Sequence, residues 1–340
     1  MSTVTSTVMS TSAAAPVAPA PPRRFRVRRP RRGAGLAGAA ALLMLSVTAC
    51  AADGDSTATP DVDSPQAETS ASSTTPVPSS AAASASPSSV PADAPVSDRH
   101  GDRSLSLSCT GSGDTTVILD AGLGGDLRTW QSVQPMVAST SRVCSYDRAG
   151  IGGSDPAPTP RTAGDAVKDL HALLGAADLE PPYVLVGFSF GGLVTQLFAS
   201  TYPRETAGLV LVESNHPREI ETFESHLTQQ QIREDRAEVL ANPEGMDPYR
   251  SVGEFEAAGP LPRVPLVVVS AGVSEGWPPG WKPALFDRLW AELQRDLAAS
   301  VPGGRQVIAE HSRHDVPQQA PNVVAEAIAT VVEETLKGRG

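Results

Sequence analysis

The stretch Tyr183-Val184-Leu185-Val186-Gly187-Phe188-Ser189-Phe190-Gly191-Gly192-Leu193-Val194-Thr195-Gln196-Leu197-Phe198-Ala199 decides how the chain folds. A short apolar run of strand-forming residues enters a Gly-x-Ser-x-Gly turn, and a helix-forming run leaves it. On such a sharp turn the serine hydroxyl stands clear above the sheet, and only small residues fit two positions to either side. Gly187 and Gly191 supply that room. The turn also aims the backbone N–H of Phe190 and the positive end of the helix at an anion forming beside the serine. In a chain rich in Gly and Ser the five-residue pattern is weak by itself, so its weight comes from the strand before it and the helix after it. Ser189 is the candidate nucleophile.

On both sides of this turn, apolar β-rich runs alternate with segments of helical period. Strands are predicted at 104–109, 116–120, 142–146, 183–187, 208–212, 265–270 and 306–309, and the clearest helices at 162–176, 190–202, 283–299 and 320–336. That alternation is the pattern of an α/β domain with a mostly parallel, doubly wound sheet and crossover helices. It fails at 217–261, a polar and charged stretch containing Gln229-Gln230-Gln231, which reads as a short lid insertion. No internal repeat is visible, and 104–340 is long enough for one substantial core.

Three stretches together resemble the α/β-hydrolase superfamily, and the resemblance covers essentially all of 104–336. They are Val117-Ile118-Leu119-Asp120-Ala121-Gly122-Leu123-Gly124-Gly125, Ser145-Tyr146-Asp147-Arg148-Ala149-Gly150-Ile151-Gly152-Gly153-Ser154, and the serine turn itself. The resemblance implies an acyl-transfer site whose oxyanion receives the backbone N–H of Leu123 as well as that of Phe190. Many relatives have His-Gly where this chain has Ala121-Gly122 after Asp120, so the loop departs from the commoner pattern.

The fold's order of nucleophile, acid and base places the base after the last strand. His314, in His311-Ser312-Arg313-His314-Asp315-Val316-Pro317, fits that position, whereas His311 lies too close to the strand end. His171 and His226 read as helix-surface residues. The acid has two candidates. Glu213 closes the strand in Leu211-Val212-Glu213-Ser214-Asn215-His216, and Glu275 follows the next one in Ala271-Gly272-Val273-Ser274-Glu275-Gly276. A strand end fixes geometry better than a Ser/Gly stretch, which favours Glu213.

The N-terminal third reads differently. Residues 1–49 carry seven arginines and no Asp, Glu or Lys, and the basic cluster precedes the apolar run Leu36 to Ala49. This is a signal-peptide pattern, too short to span a bilayer comfortably. It ends in Val47-Thr48-Ala49-Cys50, which resembles a bacterial lipobox and implies acylation of Cys50. Residues 50–103 form an Ala/Ser/Thr/Pro stretch with no aromatic residue and read as a disordered stalk. The expected location is therefore extracytoplasmic, on a lipid anchor or secreted. In that compartment the two other cysteines, Cys109 and Cys144, are expected to pair.

The net charge of −11 falls to near −18 once 1–49 is removed, a poor match for nucleic acid. No metal-ligand spacing or dinucleotide fingerprint appears, so no cofactor and no metal are expected. The expected activity is cleavage of a small-molecule carboxylic ester by Ser189, His314 and Glu213 through an acyl-enzyme. A peptidase, an amidase or a lactonase of the same fold is the alternative within enzymes. A lipid-anchored binding protein without catalysis is the alternative outside them. A serine at the turn argues against the epoxide hydrolases and haloalkane dehalogenases of this fold, which carry aspartate there. Trp277, Trp281, Phe188 and Phe190 are candidates for an apolar pocket lining.

Overall fold

The computed structural model describes residues 94–97 and 103–338 of the 340-residue chain. The expected signal segment, Cys50 and most of the expected stalk lie outside the described residues. In chain order the elements are β1 (Ala94–Ser97), β2 (Ser104–Thr110), β3 (Thr116–Asp120), α1 (Gln134–Val137), β4 (Arg142–Tyr146) and α2 (Ala163–Ala176). They continue with β5 (Tyr183–Phe188), α3 (Phe190–Thr201), β6 (Thr206–Val212), α4 (Glu219–Glu224), α5 (Gln229–Leu240) and α6 (Pro248–Ala258). The last are β7 (Leu266–Ala271), α7 (Pro283–Ala299), β8 (Arg305–Ala309), α8 (Val316–Gln319) and α9 (Pro321–Lys337).

The strands form one eight-stranded sheet in the order β1-β2-β4-β3-β5-β6-β7-β8. β1 and β2 pair antiparallel with their neighbours, and every pairing from β4 to β8 is parallel. The central strands β3, β5 and β6 are buried along their whole length. Helices cover both faces of a parallel sheet, which is why these strands read as continuous apolar runs. The two-residue period of β5 divides the core: Tyr183 and Leu185 pack with Leu170, Leu197 and Phe198, whereas Val184 and Val186 pack with Val324, Ile328 and Val331. Helices α2 and α3 therefore cover one face and α9 the other.

One strand falls where a disordered stalk was expected. Ala94–Ser97 pairs antiparallel with β2, matching Pro95 to Ser106, and it is the outermost strand on that side of the described sheet. A proline is tolerated there because an edge strand leaves one row of backbone groups unpaired. Cys109 and Cys144 face each other across the β2/β4 ladder and are joined by a disulfide, with S–S 2.09 Å.

The expected lid segment contains α4, α5 and α6, inserted between β6 and β7. Helix α5 buries no residue, in keeping with its run of Gln, Glu, Asp and Arg. This segment lies on the same side as the strand ends from which the serine turn emerges, since residues of α4 and α6 share a cavity with Ser189.

Candidate active site

Ser189 sits between β5 and α3 with φ 51° and ψ −118°, a backbone conformation unfavourable for a residue with a side chain. Three hydrogen bonds hold it there. Its N–H donates to Val212 O at 3.0 Å, and its carbonyl accepts from Gly192 N at 3.0 Å and Asn215 N at 3.1 Å. A methyl group on Gly191 would collide with the carbonyl oxygens of Asp120 and Ala121, and one on Gly187 with Gly191 O. The glycines are thus required by how closely β3, β5 and α3 approach. The Ser189 hydroxyl donates to Asn215 Oδ1 at 3.5 Å.

Glu213 directly follows β6 with φ 43°, a second strained residue beside the strained serine. Its carboxylate is almost fully buried and has three partners. Ala271 N–H donates to Oε1 at 2.8 Å, the Trp290 indole N–H reaches both oxygens at 3.2 and 3.1 Å, and His314 Nδ1 lies 3.3 Å from Oε2. The His314 side chain keeps 38% of its surface exposed, while Glu213 keeps 5%. The Phe188 ring packs beside the imidazole with centroids 5.1 Å apart. Glu275 also touches His314, but at its backbone: Oε2 accepts the His314 N–H at 3.2 Å. Of the two candidate acids, only Glu213 faces the imidazole.

Ser189, Glu213 and His314 line one cleft of about 610 Å³. No hydrogen bond joins Ser189 to His314 among the described residues; the hydroxyl is turned to Asn215 instead. Among the described residues the backbone N–H groups of Leu123 and Phe190 have no partner within the protein. Free donors of this kind, at a helix start and in a loop, are groups that can receive an anion.

The Asp120-Ala121 departure has a structural explanation. Arg148 is buried and donates to Asp120 Oδ1, to the carbonyls of Ala121 and Gly122, and to both oxygens of Glu244. Tyr146 donates its hydroxyl to Asp120 Oδ2 at 2.7 Å. Burial pushes the Asp120 carboxyl up to about 6, against the opposing pull of Arg148 and Tyr146. The position next to the turn therefore anchors a buried ion cluster.

A second cavity, about 300 Å³, opens beside Ser189 and is lined largely by apolar side chains, including Leu193, Ile220, Phe223, Tyr249, Trp277 and Trp281. Phe190 also lines it, whereas Phe188 lies against a shallow surface cleft with His314. Glu219 borders both cavities and accepts from Asn215 Nδ2 at 2.7 Å and His216 N at 3.3 Å. Burial raises its carboxyl to about 7, with those two hydrogen bonds opposing the shift. His216 also lines the second cavity and pairs with Asp296 at 3.0 Å, and burial lowers its imidazole. His171 stacks on Tyr202 with ring centroids 4.1 Å apart. Cys50 lies outside the described residues.

Asn215, Glu219, Trp290, Arg148 and Glu244 were not singled out from the sequence as site residues. The first two lie close to Glu213 in the chain and offered a local signal as polar residues after a strand end. The indole of Trp290 is 77 positions from Glu213, and no local pattern marks it.

Residues 115–315 match the alpha/beta hydrolase fold family. The Bacillus subtilis (strain 168) protein YqjL is 27% identical over 231 residues, 65% of this chain and 85% of that one. A thermophilic esterase from Thermogutta terrifontis superposes with a TM-score of 0.52 at 22% identity, covering 72% of this chain and 98% of the esterase. The enol-lactonase from Burkholderia xenovorans LB400 gives 0.50 at 19% identity, covering 71% of this chain and all of that one. With the family match spanning more than half its length, the chain belongs to the alpha/beta hydrolase fold family.

Proposed function

We propose that the chain is a serine hydrolase that cleaves carboxylic esters through an acyl-enzyme. The observation that carries this reading is the His314–Glu213 pair, 3.3 Å apart, on the cleft that Ser189 also lines. The Ser189 hydroxyl leaves Asn215 and turns to His314, whose Nε2 takes its proton as the oxygen attacks the ester carbonyl. Glu213 holds the imidazole by Nδ1 and stabilises its cationic form. The developing oxyanion accepts from the free N–H groups of Leu123 and Phe190. The imidazolium then protonates the departing alcohol, and water releases the acid by the same steps in reverse order.

The apolar cavity takes the acyl chain and the more polar cleft beside Glu213 takes the alcohol. The reading extends to the cell envelope: the protein works outside the cytoplasm, tethered through an acylated Cys50. The Cys109–Cys144 disulfide supports an oxidising compartment.

Labelling of the full chain with a fluorophosphonate, followed by peptide mass mapping, tests the chemistry. Modification of Ser189 that disappears in His314→Ala is the expected result. No labelling where a control hydrolase reacts would overturn the reading in favour of a binding protein. A panel of matched ester, lactone and anilide substrates then separates esterase from lactonase and amidase. Incorporation of labelled fatty acid, lost in Cys50→Ala, tests the anchor.

A further inference from the structure

The backbone on both sides of Leu123 is held by one buried cluster. On the N-terminal side, Arg148 donates to the carbonyls of Ala121 and Gly122, the latter at 2.6 Å. On the C-terminal side, the Gly124 N–H donates to Glu244 Oε1 at 2.6 Å. The circuit closes because Arg148 also donates to both Glu244 oxygens, at 2.7 and 2.6 Å. Between these anchors the Leu123 N–H has no partner among the described residues. The guanidinium also lies over the Phe190 ring, 5.6 Å from its centroid, so it touches the Phe190 side chain as well as the carbonyl of the peptide group whose N–H belongs to Leu123.

Glu244 comes from the lid, 120 positions from Gly124. Its own segment is fixed to the body, since Arg161 N–H donates to Gly245 O at 2.8 Å and Asp247 N–H to Arg161 O at 2.7 Å. The Asn242 side chain closes the loop internally on Met246, and Pro243 packs against Gly124. Both members of the Arg148–Glu244 pair are buried, with 2% and 0% of their side chains exposed. Buried ion pairs of this kind often contribute little to stability compared with apolar residues of the same volume. What the circuit supplies is position: it fixes a loop at three points around one amide.

We propose that Glu244 and Arg148 are positioning residues of the oxyanion hole, and that through Glu244 the lid sets where the Leu123 N–H points. This rests on the ester-hydrolase reading given above. An oxyanion donor acts only when it lies at hydrogen-bond distance from the transition-state oxygen, so a small shift of the loop lowers turnover without weakening ground-state binding.

The experiment compares the full-length wild type with Glu244→Leu, which fills the space without an acceptor, and Glu244→Asp, which keeps the charge but draws it back from Gly124. Turnover of a p-nitrophenyl ester is measured per site titrated with fluorophosphonate, so that any unfolded fraction does not count. Both variants are expected to lose at least tenfold in kcat with KM within about twofold, Leu more than Asp. A boronic acid that mimics the tetrahedral adduct is expected to bind more weakly by a similar factor. Wild-type kcat and boronate affinity per titrated site in Glu244→Asp would overturn the proposal, whatever happens to thermal stability. Amide hydrogen exchange across 121–126 reads the clamp without turnover. Exchange accelerated in Glu244→Leu, in a protein whose wild type cleaves no ester, would remove the ester reading and leave the clamp. Unchanged exchange would remove the clamp itself.

Discussion

Glu213 Oε2 lies 3.3 Å from His314 Nδ1, whereas Glu275 meets the same histidine only at its backbone N–H. The difference separates the two carboxylates that the sequence offers for the acid. Glu213→Gln should keep the Ala271 N–H bond and the fold but place a neutral group against the imidazole. A fall in kcat of about 10³–10⁴-fold is expected, with Ser189 still slowly labelled by fluorophosphonate. Glu275→Gln should stay within about threefold of wild type. Steady-state kinetics on one activated ester checks both, and the reverse ranking would transfer the role to Glu275.

The carboxyl of Glu219 makes a prediction about stability and pH. Burial raises it from 4.5 to about 7, so the folded state favours the protonated form more than the unfolded chain does. That stabilising contribution is fully present below about pH 4.5 and is lost as the pH rises through about 7. Glu219→Gln removes the titration. Relative to wild type, the variant should therefore gain about 2–3 kcal/mol between pH 4.5 and pH 8. Asp120, raised to about 6, titrates in both proteins and cancels from the comparison. Urea unfolding at the two pH values measures the difference, and parallel stability profiles would show that Glu219 is well solvated.

How far the sequence could be read follows from where each signal resides. The central strands were legible because burial on both faces makes each an unbroken apolar run. Ser189 was legible because its turn chemistry is local: two glycines, a strand and a helix, all within contiguous residues. Glu213 could be preferred over Glu275 on strand-end geometry, and the structure puts it against His314. Trp290 and Glu244 carried no such mark, since their contacts arise when α7 and the 217–261 insertion fold back over 77 and 120 positions respectively. The strand at Ala94–Ser97 was hidden for a different reason. Its Ala-Pro-Val-Ser composition matches the low-complexity residues before it, and only its pairing with β2 distinguishes it.

The apolar cavity beside Ser189 predicts a dependence on acyl length. Each methylene transferred from water into it should add about 0.8 kcal/mol, or roughly fourfold in kcat/KM, until the space of about 300 Å³ is filled. A series of p-nitrophenyl esters from acetate upward should rise and then level. Val252 lines this cavity from α6, and Val252→Trp should move the plateau to shorter chains while leaving acetate turnover within about twofold. A flat series in wild type would place the acyl group elsewhere, on the cleft beside Glu213.

The disulfide predicts a loss of stability without loss of chemistry. Cys109 and Cys144 are partners in the β2/β4 ladder, so the bond joins residues that the sheet already holds together. Its main effect is on the unfolded chain, where it closes a loop across a sequence separation of 35. Replacing both cysteines with serine should cost about 3 kcal/mol, which for a domain of this size lowers Tm by roughly 6–12 °C. Ser189 follows β5, which β3 separates from β4, so kcat per labelled site should stay within about twofold. Calorimetry and active-site titration on the same preparation separate the two effects. A drop in kcat matching the drop in stability would mean that the β2/β4 pairing transmits to Arg148, four residues beyond Cys144, and through it to the loop that carries Leu123.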